Sequence, residues 1–506
     1  MSVLTDILDN AVRAFPEFDI LFYEERSYTN LELDRRSCRI ANALRELGMA
    51  PGDVLLAHME NSPDFFTLVT ACARMGIVLC PTMFLISAEE LSWMVEHSGA
   101  SYLVTTPGLL AKIKLASPAH YSHGRVILVS KEREAGTLSL EELISDQPEA
   151  IENRPALSDE DIAALLYTAG TTGKPKGVLL THGNIGSNVR AIAASNRISR
   201  DETALSALPL SHSFGLTTSL LPALCGMRSV LLPWFDAEKV LAYTERFHVR
   251  TMPGVPAMFI QLLNHPHAPN YNTKSWLRLQ SGAAPLPLEV LRAFHDKFGV
   301  YLYEGYGLTE ASPVVSCQTP FIPFKAGSVG LPLEGVEVSI RDEFEHELPP
   351  GSPGEITVRG PNVMKGYLRD EEESERALRG GWLHTGDIGY LDEDGYLYIV
   401  ERKKDLIISG GFNLYPSEVE RILERHPAVA EAAVVGEPDP IRGEVVHAFV
   451  VTVPGREATE RELIEYARGF LVYYKCPHRV TFLKEMPRTL LGKPSRRALR
   501  DLLPRR

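Results

Sequence analysis

Apolar residues follow two rhythms along this chain. Over 31–47 they recur at helical spacing, with Leu33, Ile40, Leu44 and Leu47 on one face and Gly48 closing the run. Pro51-Gly52-Asp53 then turns the chain into the apolar run 54–57, which predicts a buried strand. A helix over 63–75 and a strand over 77–80, ended by Pro81, repeat the alternation. Strands alternating with amphipathic helices predict parallel sheets covered by helices. After Glu310 the texture changes to short strands over 335–340 and 354–358, separated by turns such as Pro349-Pro350-Gly351 and Asp392-Glu393-Asp394-Gly395. A small β-rich subdomain is expected there. Past Arg402 the pattern predicts a compact α+β stretch, with a helix over 416–426 and strands over 428–435 and 445–453. The expected fold is therefore α/β: a large domain over 1–402, with parallel or mixed sheets, helices and a β-rich subdomain, and a small α+β domain over 403–506. The boundary falls in the charged segment Glu401-Arg402-Lys403-Lys404-Asp405. No fixed-period repeat or low-complexity tract interrupts the pattern.

Size agrees, since 506 residues exceed one compact core. A net charge of −13, from 52 basic and 65 acidic residues, argues against a general nucleic-acid binder. The charge is uneven: 468–506 holds eleven Lys or Arg against Glu485 and Asp501 alone. Such a tail suits the phosphates of a nucleotide or coenzyme, and a solvated basic face fits the composition equally well. The cysteines at 38, 72, 80, 225, 317 and 476 form no CxxC pair, which points to reduced, buried thiols rather than a disulfide or metal site. Asp6, Asp9 and Glu17 stand where a signal peptide needs a basic start and an apolar core. The most apolar stretch, 65–86, is broken by Arg74 and Pro81, so no integral membrane segment is expected, although peripheral contact remains open. These features predict a cytoplasmic protein, and leave monomer or homodimer open.

Chemistry enters at Tyr167-Thr168-Ala169-Gly170-Thr171-Thr172-Gly173-Lys174-Pro175-Lys176-Gly177, directly after the apolar run 162–167. Glycines let backbone N–H groups approach anionic oxygens, threonines add hydroxyl donors and lysines neutralise charge, so the loop suits polyphosphate. It departs from the common nucleotide P-loop, which places Ser or Thr directly after its Lys where this chain has Pro175. A polar surface loop is the alternative for the segment on its own.

Further along stand Tyr306-Gly307-Leu308-Thr309-Glu310, Thr385-Gly386-Asp387, Arg402 with Lys404-Asp405, and Gly492-Lys493. With the loop at 167–177, in this order and at these separations, they resemble the adenylate-forming superfamily, which includes acyl-CoA synthetases, aryl-CoA ligases, firefly luciferase and peptide-synthetase adenylation domains. The resemblance covers essentially the whole chain. It implies that ATP converts a carboxylic acid into an acyl-adenylate, since a carboxylate alone has only oxide as leaving group, and that CoA then takes the acyl group. ATP, Mg2+ and CoA are the implied cofactors and substrates.

The resemblance assigns roles residue by residue. Lys493 would bridge carboxylate and phosphate during adenylation, where two anions must meet. Thr309 would bind the α-phosphate and Glu310 would hold Mg2+; on its own, Thr309-Glu310 also reads as a helix start with threonine as cap. The nucleotide set comprises Thr168, Gly170, Thr171, Thr172, Gly173, Lys174, Lys176, Gly282, Ala283, Ala284, Glu304, Gly305, Tyr306, Gly307, Thr309, Asp387, Ile399, Arg402 and Lys493. Tyr306 would stack on adenine between two glycines, and Asp387 would accept from the ribose hydroxyls. Lys404, a plain surface turn by composition, would be the hinge of the small domain. Ser409, Gly410 and Gly411 would line a tunnel for the pantetheine arm of CoA, where glycines admit a close approach.

For the acid, Ala207-Leu208-Pro209-Leu210-Ser211-His212-Ser213-Phe214-Gly215-Leu216 resembles the family's acyl-pocket entry. The implied pocket holds His212, Phe214, Gly215, Val255, Ser281, Gly282 and Ala283. His212 reads as a pocket gate or carboxylate contact, or equally as a buried hydrogen-bonded histidine. The run Ser281-Gly282-Ala283-Ala284-Pro285 also fits a simple tight turn. No arginine adjoins Ser281 or His212 in sequence to pair with a second carboxylate, so a fatty or other apolar monocarboxylate is expected. Ala169 replaces a common serine, Ser211 a bulkier residue, Ala311 a threonine and Pro494 an aliphatic residue; none of these removes a charged group. The alternatives are an aryl-CoA ligase, an acyl-carrier-protein synthetase, or a catalytically silent interaction module on the same fold.

Overall fold

The computed structural model of the chain describes residues 3–168, 175–402, 405–409, 412–440, 442–488 and 494–503. Two compact units divide it, Met1–Val338 with Val358–His384, and Ser339–Thr357 with Thr385–Arg506.

In the first unit a nine-stranded sheet runs in the order Leu331–Pro332, Val314–Cys317, Leu302–Gly307, Arg278–Ser281, Thr251–Gly254, Thr203–Ser206, Arg228–Leu231, Asp19–Tyr23, Arg26–Thr29. The strands from Leu302–Gly307 to Asp19–Tyr23 are parallel, and antiparallel strands close both edges. Five strands each send one apolar residue into the buried core: Leu205, Val230, Met252, Leu279 and Leu302. Helix residues Val240, Leu241, Phe259 and Phe294 complete this core.

An eight-stranded sheet runs in the order Gly366–Tyr367, Lys176–Thr181, Ile162–Thr168, Val78–Thr82, Val54–His58, Tyr102–Thr105, Val126–Leu128, Leu138–Ser139. The helix expected over 31–47 spans Asn30–Glu46, because Thr29 and Glu32 form a capping box at its start. Helix Pro63–Met75 matches its expected bounds, with Ser62 as N-cap and proline in the first turn. The strand expected to end at Pro81 instead spans Val78–Thr82, with Pro81 opposite Ala57 and Thr82 opposite His58. A proline removes a single N–H from the ladder, and the buried His58 Nδ1 to Thr82 Oγ1 contact at 3.0 Å anchors the strand beyond it.

The second unit contains most of a four-stranded sheet in the order Glu337–Arg341, Gly354–Arg359, Leu383–Leu391, Leu397–Arg402. It also contains a sheet in which Ile407–Ser409 lies between Phe412–Leu414 and Gly443–Thr452, with Val429–Asp439 and Arg479–Leu483 also paired to Gly443–Thr452. The strands expected over 428–435 and 445–453 form this long antiparallel hairpin. Helix Pro416–Glu424, expected over 416–426, buries Val419 and Leu423 against Val434, Val446 and Val450. Among the described residues, no helix is long and apolar enough to cross a membrane, and all six cysteines are free thiols.

Candidate active site

The strands flanking the expected phosphate-loop segment pair with each other. Strands Ile162–Thr168 and Lys176–Thr181 pair antiparallel, with Thr168 opposite Lys176. Ala169, Gly170, Thr171, Thr172, Gly173 and Lys174 lie outside the described residues. The ammonium of Lys176 stands 5.1 Å from the centre of the Tyr367 ring and forms an ion pair with Glu373.

Parallel strands Arg278–Ser281 and Leu302–Gly307 end side by side, with Ser281 opposite Glu304. In a parallel pair such partners point to the same face. Both are buried, and among the described residues Ser281 Oγ and Glu304 Oε2 have no hydrogen-bond partner. Burial pushes the Glu304 carboxyl up to about 7, against a pull from the backbone N–H of Leu286. Beyond Ser281 the chain turns at Ala283, a non-glycine residue at φ 63°, a conformation that marks local strain. Gly282 N–H donates to Gly254 O at 3.1 Å. A Cβ at Gly282 would stand 3.3 Å from the Phe214 ring and 3.6 Å from Gly305 O, so the small-residue loop, the proposed acyl wall and the Gly305 strand converge. Val255 follows the strand Thr251–Gly254, whose Gly254 lies opposite Ser281, and is the N-cap residue of helix Pro256–Asn264.

Phe214 belongs to helix Ser213–Ser219, whose N-cap is His212; its Nδ1 accepts from the Phe214 N–H at 3.2 Å. That bond leaves the proton of a neutral imidazole on Nε2. Gly215 passes so close to the Pro209 carbonyl oxygen that any Cβ there would collide with it. Two hydroxyls join this helix to the Thr309 segment: Ser213 Oγ lies 3.2 Å from Thr309 Oγ1, and Thr217 Oγ1 donates to Ser312 O at 3.0 Å. Tyr306 is half-buried opposite Ser316, and Gly307 lies against Pro313 O at a distance only glycine tolerates.

Thr309–Ala311 is a single 3-10 turn with Leu308 in the cap position, so Thr309 is not a helix cap. The neighbouring Glu310 is held at both ends by one segment. Met364 N–H donates to its backbone oxygen at 2.8 Å, and Tyr367 Oη donates to its Oε1 at 3.0 Å. Burial and this carboxylate together push the Tyr367 phenol far above its ordinary value, so it remains a neutral donor. The donor set fits Mg2+, which favours one or two carboxylates and draws its other oxygens from phosphate and water. No cluster of three or more acidic, histidine or cysteine side chains suited to an all-protein metal cage occurs among the described residues. Arg278, on the strand that ends at Ser281, is fully buried; its guanidinium donates to Glu202 at 2.9 Å and to Asn196 O at 2.7 Å.

In the second unit Asp387 lies opposite Arg402 in the antiparallel pair, and Ile399 lies opposite Gly389. Asp387 N–H is held by Thr385 Oγ1 at 3.1 Å, and Gly386 N–H by Glu355 at 3.2 Å. Ser409 is buried opposite Phe412 and Gly443. Lys404, Gly410, Gly411 and Lys493 lie outside the described residues. Both stretches that contain the two lysines border one charged cluster. Arg496 donates to Glu401 at 2.8 Å, Asp405 at 3.3 Å and Glu420 at 2.9 Å, while Arg500 donates to Asp405 at 3.0 Å.

Residues 8–368 match the family model of the AMP-binding enzyme, and 418–493 match the AMP-binding enzyme C-terminal domain. The chain belongs to the AMP-binding enzyme family. It is 34% identical to a long-chain-fatty-acid–CoA ligase of Bacillus subtilis, with 98% of this chain and 94% of that one covered. It is 38% identical to a feruloyl-CoA synthase of an Amycolatopsis species, with 92% of each covered. The crystal structure of ATP-bound MatB from Rhodopseudomonas palustris superposes with a TM-score of 0.91 at 31% identity, covering 99% of both chains. This AMP-binding enzyme is an acyl-CoA ligase of the AMP-forming class, with ATP, Mg2+ and CoA as its reagents. Sequence reasoning missed Ser213, Glu373 and Tyr367 in the neighbourhood of its motifs. Only Ser213 had a nearby signal, as the residue after His212 in the acyl-pocket segment.

Proposed function

We propose that this ligase activates an apolar monocarboxylic acid, in the first place a medium- or long-chain fatty acid, and transfers it to free CoA. The observation that carries this reading is the join between Ser213 and Thr309. It sets the apolar helix start at Phe214 and Leu216 beside the residue assigned to the α-phosphate. The arginine on the adjoining strand, Arg278, is held by Glu202 within the fold, which leaves a second carboxylate without that partner. In the proposed reaction Thr309 donates its hydroxyl to the α-phosphate, Tyr306 stacks on adenine and Asp387 binds the ribose. Glu310 would hold the magnesium ion, which would supply charge neutralisation to the nucleotide phosphates. Lys493 bridges the acid's carboxylate and the phosphate as the acyl-adenylate forms and pyrophosphate leaves. His212 borders the carboxylate, and Ser409, Gly410 and Gly411 line the path of the CoA thiol. The domain that carries Lys493 turns at Lys404 between the two steps.

A second reading, an aryl-CoA ligase, draws support from the Phe214 ring facing Gly282, since a flat slot beside glycine suits an aromatic acid. Acid-dependent pyrophosphate release decides between them. The panel runs from acetate to stearate and adds benzoate, cinnamate and a dicarboxylate, each with and without CoA. Preference for octanoate or longer acids, with acyl-CoA as product, supports the first reading. Preference for the ring acids supports the second, and preference for the dicarboxylate contradicts both.

A further inference from the structure

The Glu310 turn follows a strand of the nine-stranded sheet, and Lys176–Thr181 belongs to the eight-stranded one, yet one short segment touches both. Gly366–Tyr367 is a two-residue strand paired antiparallel with Leu179 and Val178, on the strand that leaves the phosphate loop. The same segment, from Met364 to Tyr367, binds the backbone oxygen and the carboxylate of Glu310. Tyr367 is itself fixed at its backbone and at its ring. Its N–H donates to Ser374 Oγ at 2.8 Å, the Lys176 ammonium covers its ring, and Lys176 is held by Glu373. Glu373 lies in the first turn of helix Glu371–Ala377, where its N–H donates to the Asp370 carboxylate at 3.1 Å.

The choice of donor matters. A lysine or arginine against Glu310 would neutralise the carboxylate and compete with an incoming cation. A phenol hydroxyl fixes the direction of the carboxylate and itself brings no positive charge to it. A ligand held to within a fraction of an ångström by an outer hydrogen bond needs less reordering when the metal arrives. We propose that Tyr367 is a positioning residue for Glu310, setting the carboxylate relative to the strand Lys176–Thr181 for the magnesium–nucleotide complex. This rests on the reading of Glu310 as the magnesium ligand.

The test is calorimetric titration of ATP into the full-length protein, once with Mg2+ and once with a chelator. Tyr367→Phe removes one oxygen and keeps the ring under Lys176. Affinity for magnesium–ATP is expected to fall about ten-fold, the scale of a hydrogen bond to a charged group, while affinity for metal-free ATP stays put. Equal loss under both conditions would show a merely structural tyrosine, and no loss in either would also overturn the proposal. Ser374→Ala, which loosens the backbone anchor of Tyr367, should move the same ratio less far and serves if the tyrosine variant fails to fold. Glu310→Gln separates the two levels of argument. If it leaves the magnesium dependence unchanged, the reading of Glu310 is wrong; if it changes that dependence and Tyr367→Phe does not, only the role of Tyr367 is wrong. In the double variant, Tyr367→Phe should add nothing to Glu310→Gln.

Discussion

Two groups of carboxylates in this ligase are held in opposite ways. In the first unit Glu310 is held by a neutral phenol, and the nearest cation in that chain of contacts, Lys176, is paired to Glu373 one step away. In the second unit Glu401, Asp405 and Glu420 gather around Arg496, with Arg500 at the edge. Burial lifts Glu420 above the usual carboxylate range despite that arginine, while the surrounding carboxylates raise Arg496 further. The first arrangement fixes the direction of a carboxylate through a donor that carries no charge of its own. The second closes the charges on one another and ties Glu401 and Asp405, on either side of Lys404, to the helix Arg496–Asp501. The nature of the partner, more than the acid itself, separates a reagent from a brace.

Substitutions can break that contrast, starting from the brace. Arg496→Met should destabilise the protein by about 3–5 kcal/mol, because it strands buried carboxylates; chemical unfolding measures it. Glu310→Gln should change unfolding little and slow pyrophosphate release about 10²–10³-fold, seen in steady-state assays across magnesium concentrations. A large stability loss in Glu310→Gln, or a small one in Arg496→Met, would erase the distinction. Glu304 is a third case, held by a backbone N–H and pushed by burial up to about 7 from 4.5. A folded pKa raised in this way gives stability that is full below the unfolded value and is lost as pH rises to the folded one. The wild type should therefore lose about 3 kcal/mol between pH 4.5 and 7, and Glu304→Gln should not; unfolding midpoints at pH 5 and pH 8 show it. Lys176→Met, which removes a ring contact and an ion pair, should cost about 1 kcal/mol of stability or less in the same unfolding assay.

Local signals carried much of this into the sequence. Helix Pro63–Met75 was legible because a serine cap, an N-terminal proline and Gly76 mark its ends, and the capping box at Thr29 made the next best case. The order of strands in the two large sheets was not legible, since neighbours such as Val78–Thr82 and Ile162–Thr168 lie far apart in the chain. Pro81 misled because the rule against proline in strands concerns single hydrogen bonds, which neighbouring contacts offset. In the site, glycine-rich and charged motifs announced themselves by composition. Tyr367 did not, because its meaning lies in a contact with Glu310 across 57 positions. Arg496 read only as part of a basic tail, since its partners are spread from Glu401 to Glu420.

The central claim is a ligase that runs two half-reactions, with one lysine serving the first alone. It is tested most directly by Lys493→Ala with the half-reactions measured separately. The account predicts that acid-dependent pyrophosphate release is abolished, while a pre-made acyl-adenylate is still converted to acyl-CoA at close to the wild-type rate. Equal loss of both steps, with the protein folded, would contradict it.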